Sequence, residues 1–150
     1  MADAEDIVFP EPQALADIET YPQAEPFYNG TGSTQPVGGV GAWDISTTGR
    51  TSMVIPTASN IHDPTGPVGY YSTANGDNGF VFVGGRHAVN ARVMGSATTT
   101  AGKPLRLVVG QNYLEELTTP VTGAWYHFIL QEDHTTAAVE LKRIRVRLPK

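Results

Sequence analysis

From Phe27 onward, apolar residues recur at every second position in short runs, and each run is closed by a turn-forming cluster. This alternation constrains the fold more than any other feature of the chain. A period of two sends successive side chains to opposite faces of an extended backbone, so each run predicts a strand with one face for a core. The runs fall at 51–55, 68–72, 79–83, 88–94, 105–109, 125–130 and 138–148. Between them lie Asn75-Gly-Asp-Asn78-Gly79 and Ala101-Gly-Lys-Pro104, whose residue types favour tight reversals. Downstream of residue 26 no segment carries the 3.6-residue spacing of an amphipathic helix. Seven or so short strands at this spacing predict an all-β fold, a small β-barrel or a sandwich.

Composition agrees. Sixteen Gly and eleven Pro among 150 residues suit strands joined by turns. Only 17% of residues are charged, so the surface relies on uncharged polar side chains. The absence of cysteine excludes a disulfide framework and thiolate metal sites. The acidic opening Met1-Ala-Asp-Ala-Glu-Asp6 does not resemble a secretory signal, and no apolar run is long enough to span a bilayer as a helix, so no membrane partner is expected. Asn29-Gly30-Thr31 matches a glycosylation sequon and is read as a turn.

Residues 1–26 differ from the rest. Pro10, Pro12, Pro22 and Pro26 interrupt any continuous helix or ladder, and the segment carries seven acids and no base. It also places Ile7, Val8, Phe9, Leu15, Ile18 and Tyr21 at intervals that an extended chain uses as anchors. The expectation is an extended acidic N-terminal arm, ordered by contact with another surface, followed by a β domain over 27–150.

The opposite end is basic. Residues 140–150 hold five bases and one acid. In the last run Ile144, Val146 and Leu148 alternate with Arg143, Arg145 and Arg147, which predicts one buried face and one arginine face. Upstream, Val139 and Leu141 occupy the other phase, so a β-bulge near Lys142 and Arg143 is expected to absorb the slip. The arginine face is the candidate subunit or partner interface, by charge complementarity with an acidic surface.

Candidate chemistry is sparse. Ile61-His62-Asp63 lacks the further ligands a metal-dependent hydrolase needs, and His127 is expected to be packed or at a strand edge. Glu132-Asp133-His134 is expected to form an acidic β-turn. The 75–79 cluster lacks the alternating carboxylates and closing Glu of a calcium loop. Gly38-Gly-Val-Gly41 has neither a following helix nor a lysine to hold phosphate. No Gly-x-Ser-x-Gly is present, and no segment interleaves clustered bases with aromatics. The sequence therefore predicts a structural or binding domain, not an enzyme, with no cofactor, no metal and no nucleic-acid partner. Trp43, Trp125, Tyr70 and Tyr71 offer an alternative, a stacking platform in a carbohydrate-binding or adhesin-like domain.

The order of parts resembles bacteriophage capsid decoration (cement) proteins. The stretches that carry the likeness are Pro67-Val-Gly-Tyr70, Gly79-Phe-Val-Phe-Val-Gly84, Gly102-Lys-Pro-Leu105 and the run from Thr135 through Ala137, Ala138 and Arg143 to Leu148. The resemblance spans about residues 30–148 and is one of pattern. It implies a small β-barrel or β-tulip, commonly trimeric, on the outer capsid surface of the virion. There it would clamp neighbouring subunits of the major capsid protein, with the arm anchors as capsid contacts. This chain departs from the simplest members in its length and in the acidity of its arm.

Overall fold

The computed structural model describes residues 23–44, 46, 51–85, 87–124 and 126–147. The arm anchors Ile7, Val8, Phe9, Leu15, Ile18 and Tyr21, together with Trp125 and Leu148, lie outside the described residues. No helix occurs among those described, and the chain forms two sheets. The first contains β1 (Gln23–Asn29), β2 (Ala42–Trp43), β3 (Ser52–Val54), β4 (Val68–Gly69) and β5 (Asn78–Gly84), in the order β2-β3-β1-β5-β4. The second is a closed barrel of β6 (Val89–Met94), β7 (Pro104–Leu107), β8 (Leu114–Glu116), β9 (Phe128–Leu130) and β10 (Val139–Val146), in the order β10-β6-β8-β7-β9. Two pairs are parallel, β1 with β3 and β6 with β8; the rest are antiparallel. An all-β fold built on a small barrel is what the alternation predicts.

Alternation fills the barrel. Ala91 and Val93, Leu105 and Leu107, Leu114, Phe128 and Leu130, and Ile144 and Val146 all point inward and are buried. Each full burial of such a side chain stabilises by about 1.5–3 kcal/mol before chain entropy is set against it. A smaller core of Phe27, Met53, Val68 and Val81 lies under the first sheet, with Trp43 and Val83 against it. Val40, Ala42, Ile61 and Phe82 join that sheet to the barrel core.

The glycine-rich string 38–41 is the seam between the two sheets. The Gly38 amide donates to the Val68 carbonyl of β4 at 2.8 Å, and its carbonyl accepts from the Arg92 amide of β6 at 2.8 Å. Gly38 has φ +85°, and a Cβ there would lie 2.4 Å from Leu141 Cδ2. At Gly41 a Cβ would meet Met53 Cγ at 2.5 Å. Close backbone approach between layers therefore accounts for this string.

Two expectations are corrected, the first and third below, and one is refined. First, β10 has no bulge. Its pairing with β6 runs without interruption from Val139↔Met94 to Ile144↔Val89. Leu141 therefore stays in phase with Arg143 and faces outward, 51% exposed, and rests over Gly38 instead of joining the core. Second, the turn at Asn29-Gly30-Thr31 is present but its asparagine is anchored in the interior. It is fully buried, its Nδ2 donates to the Ser33 and Thr73 carbonyls at 2.9 and 2.8 Å, and its Oδ1 accepts from Thr31 N and Oγ1. An amide so engaged is closed to glycosylation in the folded chain. Third, β1 begins at Gln23, so residues 23–26 of the expected arm pair with β5, through Gln23↔Gly84, Ala24↔Phe82, Glu25↔Val81 and Pro26↔Phe80.

Candidate interaction surface

The register of β1 against β5 sorts the first sheet into two faces. Phe27 lies opposite Gly79 and turns to the core with Val81. Tyr28 lies opposite Asn78 and shares the other face with Phe80 and Phe82. Phe82 reaches the barrel core, while Phe80 and Tyr28 are 37% and 36% exposed. Beyond β4, Tyr70 and Tyr71 close over the same ring pair. Tyr70 lies 5.9 Å from Phe80 and 5.2 Å from Phe82, and Tyr71 lies 6.5 Å from Phe80. Their planes cross at 81°, 70° and 90°, an edge-to-face cluster.

Tyr70 is 66% exposed and has φ +69°, the one described non-glycine residue with positive φ. A left-handed backbone is unfavourable for a bulky side chain, by roughly 1–2 kcal/mol. Gly69 permits the geometry, because a Cβ there would strike the Phe82 ring at 2.5 Å. The sequence thus holds a strained tyrosine at the surface, braced by two phenylalanines.

The 36–39 turn lies between β4 and β6: Gly38 bonds one on each side and has Leu141 of β10 against it. Arg143 and Arg145 project from β10 on the same side as Leu141, and the Arg143 side chain is 64% exposed. Arg92, opposite Leu141 on β6, has a buried Nε without a hydrogen-bond partner among the described residues. Glu132 accepts from the Arg143 amide at 2.7 Å and lies 3.5 Å from its Nε and 4.0 Å from Lys142 Nζ. The amide bond first, then the two cations, hold the Glu132 carboxyl below its ordinary pKa. Arg145 has no ion-pair partner among the described residues. Arg147 follows the end of the strand and is half-buried. The structure thus sets Arg143 and Arg145 on one face of β10 with Leu141, and places Arg147 beyond the strand.

The polar groups singled out by sequence are otherwise engaged in the scaffold. His134 is buried, and its Nε2 bridges the Ala138 and Val93 carbonyls at 2.7 and 3.1 Å. Asp133 accepts from the Ala101 amide at 2.8 Å. The 132–134 trio therefore fastens the loop before β10 to its neighbours. A carboxylate that sequence reasoning missed, Glu116, is buried at the barrel end and accepts from the Thr98 and Thr99 hydroxyls at 2.9 and 3.2 Å, with Lys103 Nζ at 3.8 Å. No group of three or more metal-binding side chains occurs among the described residues.

A cleft of about 400 Å³ opens beside Ile61, His62, Leu105, Leu107, Tyr126 and His127. Burial lowers the His127 pKa, with Asp63 opposing the shift, so this histidine is neutral at pH 7. Trp43 is half-buried against the smaller core. Phe80 and Leu141 are among the surface residues that the sequence pattern hid, Phe80 because the 79–83 run is apolar on both faces and Leu141 because a bulge was expected to turn it to the core. Comparison with protein-family models, with curated proteins and with solved structures found no match to this chain.

Proposed function

We propose that this chain is a virion structural protein, a decoration protein that binds the outer surface of a phage capsid and clamps neighbouring major capsid subunits. The observation that carries the reading is the exposed edge-to-face cluster of Tyr70, Tyr71 and Phe80, with Tyr28 on the same sheet face, on a chain that also turns Leu141, Arg143 and Arg145 outward from β10. Aromatic residues and arginine are the residue types of protein interface centres. A left-handed tyrosine kept at the surface costs stability, and binding gives it a use. Residues 1–22, acidic and punctuated by apolar anchors, enter the same sheet at Gln23. A rigid face and an arm together make a two-point attachment, whose linkage raises the effective concentration of each contact. In this reading the chain is not an enzyme and takes no cofactor, and a trimer matches site symmetry on a shell.

A carbohydrate-binding domain is the second reading, favoured by the exposure of Tyr70 and Tyr71. Sugar stacking calls for flat, open ring faces, whereas these rings meet Phe80 edge to face and Trp43 packs on a core. Cosedimentation with expanded phage capsids tests the proposal. Saturable binding, weakened at least tenfold by Tyr70→Ser with Phe80→Ser, is the expected result. Absence of binding to any capsid, together with glycan binding that those substitutions abolish, would overturn it.

A further inference from the structure

The cleft beside His127 has no part in capsid attachment. β7 pairs with β8 as far as Leu107, but with β9 only at Pro104↔Ile129 and Leu105↔Phe128. The barrel wall therefore parts beyond Leu105, and the cleft of about 400 Å³ lies at this gap, bordered also by Ile61, His62 and Pro64. The Pro104 carbonyl accepts from the Leu117 amide on the β8 side, and the Lys103 carbonyl accepts from the Leu130 amide of β9, each at 2.9 Å. Backbone groups alternate sides along a strand, so Leu107 turns its amide and carbonyl towards the gap. Tyr126 holds the position where the ladder would continue, and its hydroxyl is taken up by the amide and carbonyl of Val121 at 2.6 and 3.3 Å.

Charge decides what such a cleft takes. No acid is among the described residues that line it, and Arg106 is their one permanent cation. Glu115 compensates that cation, with its Oε1 at 2.6 Å from Arg106 Nη2 and 3.1 Å from Nε. Burial lowers the His127 pKa against the pull of Asp63, which leaves the imidazole uncharged at pH 7. Glu25, Asp63 and Arg147 border a separate hollow of about 160 Å³ on the other side of Pro64, His127 and Phe128. An ionised ligand in the larger cleft would give up its hydration and meet no free opposite charge. Apolar walls from Ile61, Leu105, Leu117 and Phe128, with a few neutral hydrogen-bonding groups, are the make-up of a small-molecule site at a barrel mouth. We propose that the cleft binds one small, uncharged, largely apolar molecule, which carries a hydroxyl or carbonyl group for the Leu107 backbone.

Two fluorescent probes with the same rings test both the site and the ligand class. Phenylnaphthylamine is uncharged, and anilinonaphthalene sulfonate adds an anionic group to the same body. Titration of the full-length protein should show one saturable equivalent of the uncharged probe, held at least tenfold more tightly than the sulfonate. Leu117→Trp places an indole in the cleft from a position beyond the end of β8, and should weaken uptake at least tenfold. Tyr70→Ser with Phe80→Ser, which removes the exposed aromatic cluster, should leave uptake unchanged. In the unsubstituted protein the bound probe should shift the amide NMR signals of Arg106, Leu107 and His127 and not those of Tyr70 and Phe80, a readout independent of how well any variant folds. Equal affinity for the two probes would overturn the uncharged ligand class. No uptake, uptake indifferent to Leu117→Trp, or signal shifts confined to Tyr70 and Phe80 would overturn the site. No capsid is present in these titrations, so failure of the capsid reading leaves their result intact.

Discussion

Tyr70 combines two terms of opposite sign. Its left-handed backbone costs roughly 1–2 kcal/mol, and its two edge-to-face contacts with Phe80 and Phe82 return about 0.5–1.5 kcal/mol each. The terms nearly cancel, so Tyr70→Gly should move the unfolding free energy by no more than about 1 kcal/mol. For a chain of this size that is a shift of roughly 2–4 °C in Tm by calorimetry, while partner binding falls sharply. A large loss of stability would mean that the tyrosine is held for the fold and not for the surface. Asn29 shows the converse. Its triplet reads as a turn, and its four amide hydrogen bonds close the 29–35 loop in the interior. Local sequence contains the turn chemistry but not the burial, because burial depends on Thr73, forty-four residues away.

Among the strands, those with clear alternation and turns on both sides were legible, notably β5, β6 and the arginine face of β10. β2 and β8, two and three residues long, are too short to carry a period. β1 was hidden by Pro26. That proline is tolerated because, among the described residues, β3 pairs only with Tyr28 and Asn29 of β1 and not with residue 26. The expected bulge in β10 rested on the assumption that every apolar residue of a strand seeks the core, and Leu141 does not. Accordingly Leu141→Ser should change stability by less than about 0.5 kcal/mol, whereas Ile144→Ala should cost about 2–4 kcal/mol in denaturant unfolding. Comparable costs at both sites would restore the bulge. The start of β1 makes a second comparison. Deleting residues 1–22 should leave the fold intact, but deleting 1–26 removes four of the residues that pair with β5 and should lower Tm markedly. Thermal melts of the two truncations decide between a strand that begins at Gln23 and an arm that ends at Pro26.

For the molecule as a whole, the all-β class follows from periodicity, but the way the strands connect does not. The parallel pairs β1–β3 and β6–β8 and the closure of the barrel are settled by contacts between residues far apart, which local patterns do not encode. The seam at Gly38, which ties β4 to β6, is likewise a long-range contact. Closure has a further consequence. β10 sits between β6 and β9 and is the last in chain order of the strands among the described residues. The first sheet can therefore assemble while the barrel remains an open ribbon with two bare edges at β6 and β9 until β10 is in place. Chains released before that point would offer those edges to one another, so premature termination in this protein is a route to aggregates and not to a smaller working domain.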